Sequence, residues 1–477
     1  MKKALIFFTI FISFIFVSSL QSQTETFTPS QLKEDFTVFR NALTEIYPSM
    51  YRFDTKENIN GLFDKTFLEF DKPMSELDFL KRLIPMGAAF KDGHFRIQAS
   101  IDFRKYIDER AKFFPLLLNF RADNTFIMAG GEDIIPAGSI ITSVNGIKIS
   151  DLRNELLKYA AGDGDILGGR LAVLSRRFYL FHLLNYGEQE EFIVGYTDNI
   201  GNESTVKLSS ISKKEYDVIA KPKNQSEKSL SLLVNDKNTA VLTIKTFSSS
   251  ALEKNNENYS EFLKTSFNTL KEKNIQGLII DLRDNSGGED EYGAKLYSHL
   301  TNKEFKYYDY LRLNNNHISF LKYTNAPPDL NEQMKERVDS VGINDFRFKT
   351  EGHENLKLQK PEENNFAGKV IVLINRGTFS AAAEFCSIFH TMKRGQFAGE
   401  ETGGTYIGNT SGISIELTLP NTKTIIPINL MRYEMAVDKN TFKGRGIIPD
   451  YPFERSINDI LTGSDTEMKY ALKLLVN

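Results

Sequence analysis

The sequence contains little cysteine, no tryptophan and few histidines. One of its 477 residues is cysteine and six are histidine. The single cysteine, Cys386, excludes an internal disulfide, so an exported form of the chain must be stabilised by its core. Cys386 lies in an apolar stretch, which favours a buried structural thiol. We find no His-Glu-x-x-His or similar cluster and no phosphate-binding glycine loop, so no metal or cofactor is implied.

A strong excess of either charge is also absent. The 59 basic and 62 acidic residues leave a formal net charge of -3. This balance gives no electrostatic reason to expect nucleic acid or an anionic membrane as a partner. Apolar residues make up 41% of the chain and charged residues 25%, which is typical of globular proteins. We expect two or three folded domains, and an oligomer is possible.

Long apolar runs are absent except at the N-terminus. Lys2 and Lys3 precede an almost wholly apolar stretch over 4–20, and small or polar residues follow to residue 22. This pattern is typical of a signal peptide and predicts a periplasmic or extracellular protein without a membrane span after cleavage at about residue 22. An uncleaved anchor helix is the alternative, since the run approaches the length that spans a bilayer.

Two regions with different patterns follow. Over 23–98 apolar residues recur at helical spacing, in one helix that begins at Thr28-Pro29 and another near Ser75. This predicts an N-terminal helical domain. Over 99–212 short β-rich runs predominate, and Asn145-Gly146 after one of them indicates a hairpin.

The rest of the chain is predicted to be a linker followed by an α/β domain. Residues 213–236 are polar and charged. Over 237–477, nearly uniform apolar strands alternate with helices, which indicates a layered structure with parallel strands. Residues 303–365 are polar and poorly periodic, and we interpret them as an insertion over the core.

A predicted buried strand at 370–374 leads into Ser380, which stands at the start of a helix. The helix dipole favours negative charge there, and the next amide, of Ala381, can stabilise an oxyanion. These features suit a nucleophile. Alternatively, Ser380 only caps the helix.

Three other segments carry candidate site residues. A second buried strand runs into Asp281-Leu-Arg-Asp-Asn-Ser-Gly287-Gly288, where either glycine could expose an oxyanion-binding amide. Alone, this is a plain glycine turn. His94 follows the helical region, and a lone histidine is usually solvated or packed. A glycine turn at 399–405 resembles a surface hairpin.

In order and spacing, these pieces resemble the tail-specific (C-terminal processing) serine protease family, nearer its tricorn-core and interphotoreceptor retinoid-binding branch. The family's motifs are matched by four segments, which lie at 281–288, 380–384, 399–404 and 446–450. The resemblance covers about residues 28–475. It implies an α/β fold with a crotonase-like (ClpP-like) catalytic core at 237–477. In the sequence this core follows the helical domain and a degenerate PDZ-like β domain at 99–212.

The resemblance also implies roles for single residues, with departures. The usual family lysine is replaced by Thr405. His94 matches the histidine of the tricorn-like branch, but Gly93 and Lys443 stand where that branch has Ser and Glu. The residue that orients His94 is therefore unidentified, with candidates that are all acidic: Asp92, Glu400 and Glu401.

We therefore expect a secreted serine endopeptidase that acts on a peptide or protein substrate. Ser380 is its nucleophile and His94 its base. The remaining site residues are implied by the resemblance: Gly287, Gly288 and Ala381 for the oxyanion hole, and Gly403, Gly404 and Thr405 for substrate binding. The alternative is a catalytically inactive relative that binds peptides or hydrophobic ligands.

Overall fold

The computed structural model describes residues 26–131, 134–221, 228–235 and 238–476. The predicted signal peptide at 1–22 lies outside the described residues. Within these ranges, no helix combines the length and the apolar character needed to cross a membrane.

The first region is helical, as predicted. Thr28 caps the first helix with a reciprocal capping box, and Pro29 occupies its first position. The third helix ends just before Asp92-Gly93-His94, so its length determines where His94 lies. The elements are β1 (Thr26–Phe27), α1 (Pro29–Ile46), α2 (Lys56–Leu68), β2 (Met74–Ser75), α3 (Glu76–Ala89) and α4 (Ile101–Glu109).

The second region is an antiparallel sheet with a long helix packed on it. The sheet order is β4-β5-β6-β8-β9, with β7 beside β6. The predicted hairpin is confirmed, with positive φ at Asn145 and Gly146. The 20-residue helix α6 was not expected. The elements are β3 (Lys112–Phe113), β4 (Leu116–Phe120), β5 (Thr125–Gly130), β6 (Ile140–Val144), β7 (Ile147–Lys148), α5 (Ile149–Leu156), α6 (Leu167–Tyr186), β8 (Glu191–Thr197), β9 (Glu203–Ser209) and β10 (Ile211–Ser212).

The segment 213–236, predicted to be a linker, contains two regular elements. Helix α7 (Lys213–Ala220) has a capping box and buries Tyr216. Strand β11 (Leu230–Asn235) pairs antiparallel with the next strand and forms the edge of the core sheet. The predicted linker therefore includes a capped helix and an edge strand of the core sheet.

The third region has the mixed α/β organisation that the sequence predicts. Its main sheet has the order β11-β12-β13-β19-β20-β23, and all pairs except β11–β12 are parallel. Free Cys386 is buried, as predicted. The elements as far as the end of the main sheet's third strand are β12 (Thr239–Ile244), α8 (Ser249–Lys254), α9 (Tyr259–Glu272) and β13 (Gly277–Asp281). They continue with α10 (Asp290–Ser298), β14 (Phe305–Lys306), β15 (Tyr308–Leu313), α11 (Leu330–Arg337), β16 (Val338–Gly342), β17 (Asp345–Phe348), β18 (Leu358–Gln359), β19 (Lys369–Ile374), α12 (Ala381–Thr391), β20 (Gln396–Gly399), β21 (Thr410–Thr418), β22 (Ile425–Met435), β23 (Tyr451–Pro452), α13 (Ile457–Thr462) and α14 (Thr466–Val476).

The polar segment 303–365 is built into a second sheet. Its strands β15, β16 and β17 join β21 and β22 in a five-stranded antiparallel sheet. Tyr307 and Tyr308 from this segment are fully buried in the main core. The segment is therefore part of the core, and its few large apolar residues supply the contacts.

Candidate active site

Ser380 lies between the buried strand β19 and helix α12, at the carboxyl end of the main sheet. Its backbone has φ 52° and ψ −131°, and its hydroxyl makes no capping bond to the helix amides. Non-glycine residues rarely adopt positive φ, and such strain costs about 1–3 kcal/mol. The turn is held by Phe379, whose amide donates to the Asn285 carbonyl at 3.0 Å, and by Thr378, whose hydroxyl donates to the Leu282 carbonyl at 2.9 Å. The neighbouring strand ends thus fix a strained turn that points the hydroxyl away from the helix.

His94 faces this hydroxyl. Its Nε2 lies 3.0 Å from the Ser380 Oγ, although the two residues are 286 positions apart. The imidazole ring stacks on Phe379, with a centroid distance of 4.6 Å and an interplanar angle of 27°. A hydrogen-bonded serine and histidine with a fixed ring plane form the geometry of an activated nucleophile and its base.

The other ring nitrogen of His94 has a carboxylate beside it. The Nδ1 atom is buried without a hydrogen-bond partner among the described residues, and it lies 3.8 Å from Asp92 Oδ1. Burial lowers the pKa of His94, and the charge of Asp92 partly opposes that effect. Glu400 and Glu401 pair instead with arginines elsewhere in the fold. Of the three acidic candidates for orienting His94, Asp92 alone adjoins its ring.

Asp163 is a second buried carboxylate near the ring, and the sequence analysis missed it. It is 3% exposed and accepts hydrogen bonds from the Gly93 amide at 2.7 Å and the Thr405 amide at 3.3 Å. Burial, followed by the neighbouring charge of Asp92, raises its pKa to about 7. Its surroundings in sequence, Gly162-Asp163-Gly164, resemble an exposed turn, so no sequence pattern indicates this role.

The three proposed oxyanion-hole residues lie beside Ser380. A Cβ on Gly287 would lie 2.7 Å from the Ser380 Cβ, so this glycine permits the close approach. Its amide, however, donates to the Asn285 side chain at 2.9 Å. Among the described residues, the amides of Gly288 and Ala381 have no such protein acceptor. The two amides available to an oxyanion are therefore those of Gly288 and Ala381.

The residues predicted to bind substrate lie behind Ser380 and not in front of it. Gly403, Gly404 and Thr405 are all buried, and the Thr405 hydroxyl donates to the Gly408 carbonyl at 2.6 Å. A Cβ on Gly404 would lie 2.7 Å from the Ala383 Cβ. They pack the turn against its surroundings and are not among the residues that line the cleft, so their assignment to substrate binding stays a prediction.

A cleft of about 850 Å³ opens in front of Ser380 and His94. Polar groups along it include the Gly288 turn and the carboxylates of Asp290 and Glu384. Its opposite wall is formed by apolar side chains of α3, α4 and α6, namely Leu80, Ile84, Phe103, Ile107, Val173 and Leu180. Four arginines, at 96, 104, 176 and 177, also line the cleft, so it presents both apolar and cationic side chains to a bound chain.

Glu384 is buried on the first turn of α12, where the family motif places a glutamate. Its two oxygens accept hydrogen bonds from the Tyr308 hydroxyl at 2.7 Å and from the side-chain amide of Asn409 at 2.6 Å. Burial, followed by the charge of Asp290, raises its pKa to about 8. Glu384 is therefore mainly a neutral acid at pH 7.

Comparisons with known proteins agree with this arrangement. Residues 238–453 match the model of peptidase family S41. The structure of mature CPAF is 13% identical, covers 94% of this chain and 97% of its own, and superposes with a TM-score of 0.64. A CPAF mutant is 14% identical with the same two coverages, 94% and 97%, and a TM-score of 0.66. No match is found among curated proteins. At these identities the likeness to CPAF shows that the two chains share a fold over nearly their whole lengths.

Proposed function

We propose that this chain, a serine-type peptidase whose residues 238–453 match the model of peptidase family S41, is an exported endopeptidase that uses Ser380 as its nucleophile. One observation supports the proposal above all others, the 3.0 Å separation between the Ser380 Oγ and the His94 Nε2. The strained backbone of Ser380 also favours this role, because strain of this kind clusters at catalytic sites.

In the proposed mechanism, the Ser380 Oγ attacks the carbonyl carbon of the scissile peptide while its proton passes to the His94 Nε2. The carbonyl oxygen becomes an oxyanion and accepts hydrogen bonds from the Gly288 and Ala381 amides. His94 then gives the proton to the leaving amine, which leaves an acyl-enzyme. A water molecule then attacks the acyl carbon and loses a proton to His94. His94 returns this proton to the Ser380 Oγ as the acid product leaves.

The environment of His94 suits a base at neutral pH. Burial lowers the pKa of His94 below its ordinary value of 6.5, so the ring is mostly neutral at pH 7 and can accept the serine proton. The Asp92 charge near Nδ1 stabilises the imidazolium once it forms.

The finer fold assignments belong to the same proposal. We assign the main sheet and its helices to a crotonase-like (ClpP-like) core, which now includes β11, and the sheet β4–β9 to a degenerate PDZ-like domain. The region 26–98 is then the N-terminal helical domain. Export rests on the N-terminal sequence pattern, and N-terminal sequencing of secreted protein should give a start near residues 20–23.

The proposal is tested by labelling with a serine-directed phosphonate and by hydrolysis of unstructured peptides. We expect one phosphonate per chain, on Ser380, and no labelling of the Ser380→Ala protein. Ser387 offers a matched control, because it lies on the same helix and its buried hydroxyl donates to the Ala383 carbonyl at 2.9 Å. Ser387→Ala should still be labelled and active. An unlabelled, inactive wild-type protein that binds peptides or hydrophobic ligands would instead support the binding-protein alternative.

A further inference from the structure

The turn that carries His94 is held by the carboxylate of Asp92. Asp92 Oδ1 accepts a hydrogen bond from the His94 backbone amide at 2.8 Å. Its Oδ2 accepts one from the Tyr47 hydroxyl at 2.6 Å. The carboxylate is 3% exposed, so Tyr47 and the turn fix its position beside the ring of His94.

Asp163 holds the same turn from the other side. Its bonds to the Gly93 and Thr405 amides connect the His94 turn to the loop behind Ser380. One carboxylate oxygen of Asp92, one of Asp163 and one ring nitrogen of His94 all lie within 4.8 Å of one another. A Cβ on Gly93 would lie 2.8 Å from the Phe379 ring, so the residue between Asp92 and His94 must be small for the ring to stack there.

Full negative charges on both Asp92 and Asp163 would be costly, because both carboxylates are buried. Among the described residues, Asp163 makes no salt bridge, and the only salt-bridge partner of Asp92 is the His94 ring. Arg52, a cationic side chain whose charge acts on both aspartates, is itself paired with Glu434 at 3.7 Å. Two buried carboxylates in proximity do not both ionise readily, and burial together with the neighbouring charge of Asp92 raises the pKa of Asp163 to about 7.

We propose that Asp92 and Asp163 act together as the positioning unit of His94, with the Asp92 carboxylate beside Nδ1 and Asp163 fixing the backbone turn through its hydrogen bonds to the Gly93 and Thr405 amides. The proposal rests on the proposed function, since it supplies the third member of a Ser380–His94 triad. In the structure the Nδ1 and Oδ1 atoms are 3.8 Å apart, and catalytic hydrogen bonds often tighten only when substrate is bound. A contraction of about 1 Å would bring them within hydrogen-bond distance.

The charged and titratable groups that act on His94 or on its two aspartates come from four places in the fold. They are Tyr47 at the end of α1, Arg52 in the loop after it, Asp163 before α6, and Arg96 beyond the turn. The Asp92 charge raises the pKa of His94, and burial and Arg96 lower it. Asp92→Asn should therefore lower the His94 pKa further and move the acid limb of the activity profile to lower pH.

The two aspartates should respond differently to the same change. Asp92→Asn should reduce kcat by about a thousandfold or more with little change in KM, because the amide can hold the wrong imidazole tautomer and cannot stabilise the imidazolium. Asp163→Asn should cost less, about tenfold or below, because the amide oxygen can still accept from Gly93 and only the longer bond from the Thr405 amide, at 3.3 Å, is lost. Asp92→Glu should recover part of the lost kcat. Asp165→Asn is the matched control, since Asp165 makes a surface ion pair with Lys91 at 2.7 Å, and its kcat should be unchanged.

A titration that needs no turnover separates this proposal from the proposed function. The His94 imidazole is followed by NMR in the Ser380→Ala protein, with and without Asp92→Asn. An unchanged His94 pKa together with near-normal kcat in Asp92→Asn overturns the positioning role, and a severe loss in Asp163→Asn alone would assign the charge to Asp163. Failure of phosphonate to label wild-type Ser380 would count against the proposed function, whereas the titration would still report on Asp92.

Discussion

The backbone at Ser380 allows strain and chemistry to be measured at one residue. Ser380→Ala and Ser380→Gly both remove the hydroxyl and its hydrogen bond to His94. We expect both to lose on the order of a millionfold in kcat, as is typical for removal of a catalytic serine. Their stabilities should differ, because alanine keeps the Cβ that makes φ 52° unfavourable and glycine does not.

The size of the difference follows from two opposing terms. Release of a positive-φ backbone is worth about 1–3 kcal/mol. Glycine in turn loses more conformational entropy on folding, roughly 0.5–1 kcal/mol relative to alanine. Since the lost hydrogen bond is common to both variants, it cancels in the comparison. The glycine variant should therefore be more stable than the alanine variant by about 1 kcal/mol.

Urea unfolding measured by circular dichroism tests this difference, and peptide hydrolysis tests the activity. Equal stabilities, or a more stable alanine variant, would refute the claim that the fold holds Ser380 in a strained conformation. Near-wild-type turnover in either variant would remove Ser380 from the mechanism, whatever the stabilities.

Three further predictions concern the neighbours of Ser380. Gly288→Ala places a Cβ 2.1 Å from the Phe247 backbone at φ 143°, so the turn must shift and kcat should fall on the order of a hundredfold; an increase in KM alone would make this turn a substrate-binding feature. His94→Ala should lose nearly as much kcat as Ser380→Ala, with little further loss in the double variant, and full activity of His94→Ala would place the base elsewhere. The kcat/KM of the wild-type protein should fall as the pH decreases, with a midpoint below 6.5, because burial lowers the His94 pKa. The pKa of Glu384 is raised to about 8 from an ordinary value of 4.5, so protonated Glu384 stabilises the fold fully below about pH 4.5 and this stabilisation is lost as the pH rises towards 8. Glu384→Gln should therefore make the free energy of unfolding in urea decline less over this pH range. An unchanged pH dependence would contradict the raised pKa.

The sequence by itself determined the local elements of the site. Continuous apolar residues at 277–280 and 370–374 specify buried parallel strands, and the glycines after one and the small residues after the other specify tight turns at the sheet's carboxyl edge. The helical spacing from Leu32 to Ile46 was sufficient to identify α1 and its cap. These features depend on periodicity and short-range turn chemistry, which a sequence records directly.

Only the tertiary structure decided which distant residues meet. His94 lies beside Ser380 although 286 positions separate them, and Asp163 bonds to the Gly93 amide across 70 positions. Neither contact is indicated by a pattern in the sequence around these residues. The choice between Gly287 and Gly288 as the amide donor also depends on a folded contact, the Asn285 side chain that occupies one of them. The physical reason is that periodicity reports which face of an element is buried, whereas a catalytic contact depends on how whole elements pack against one another.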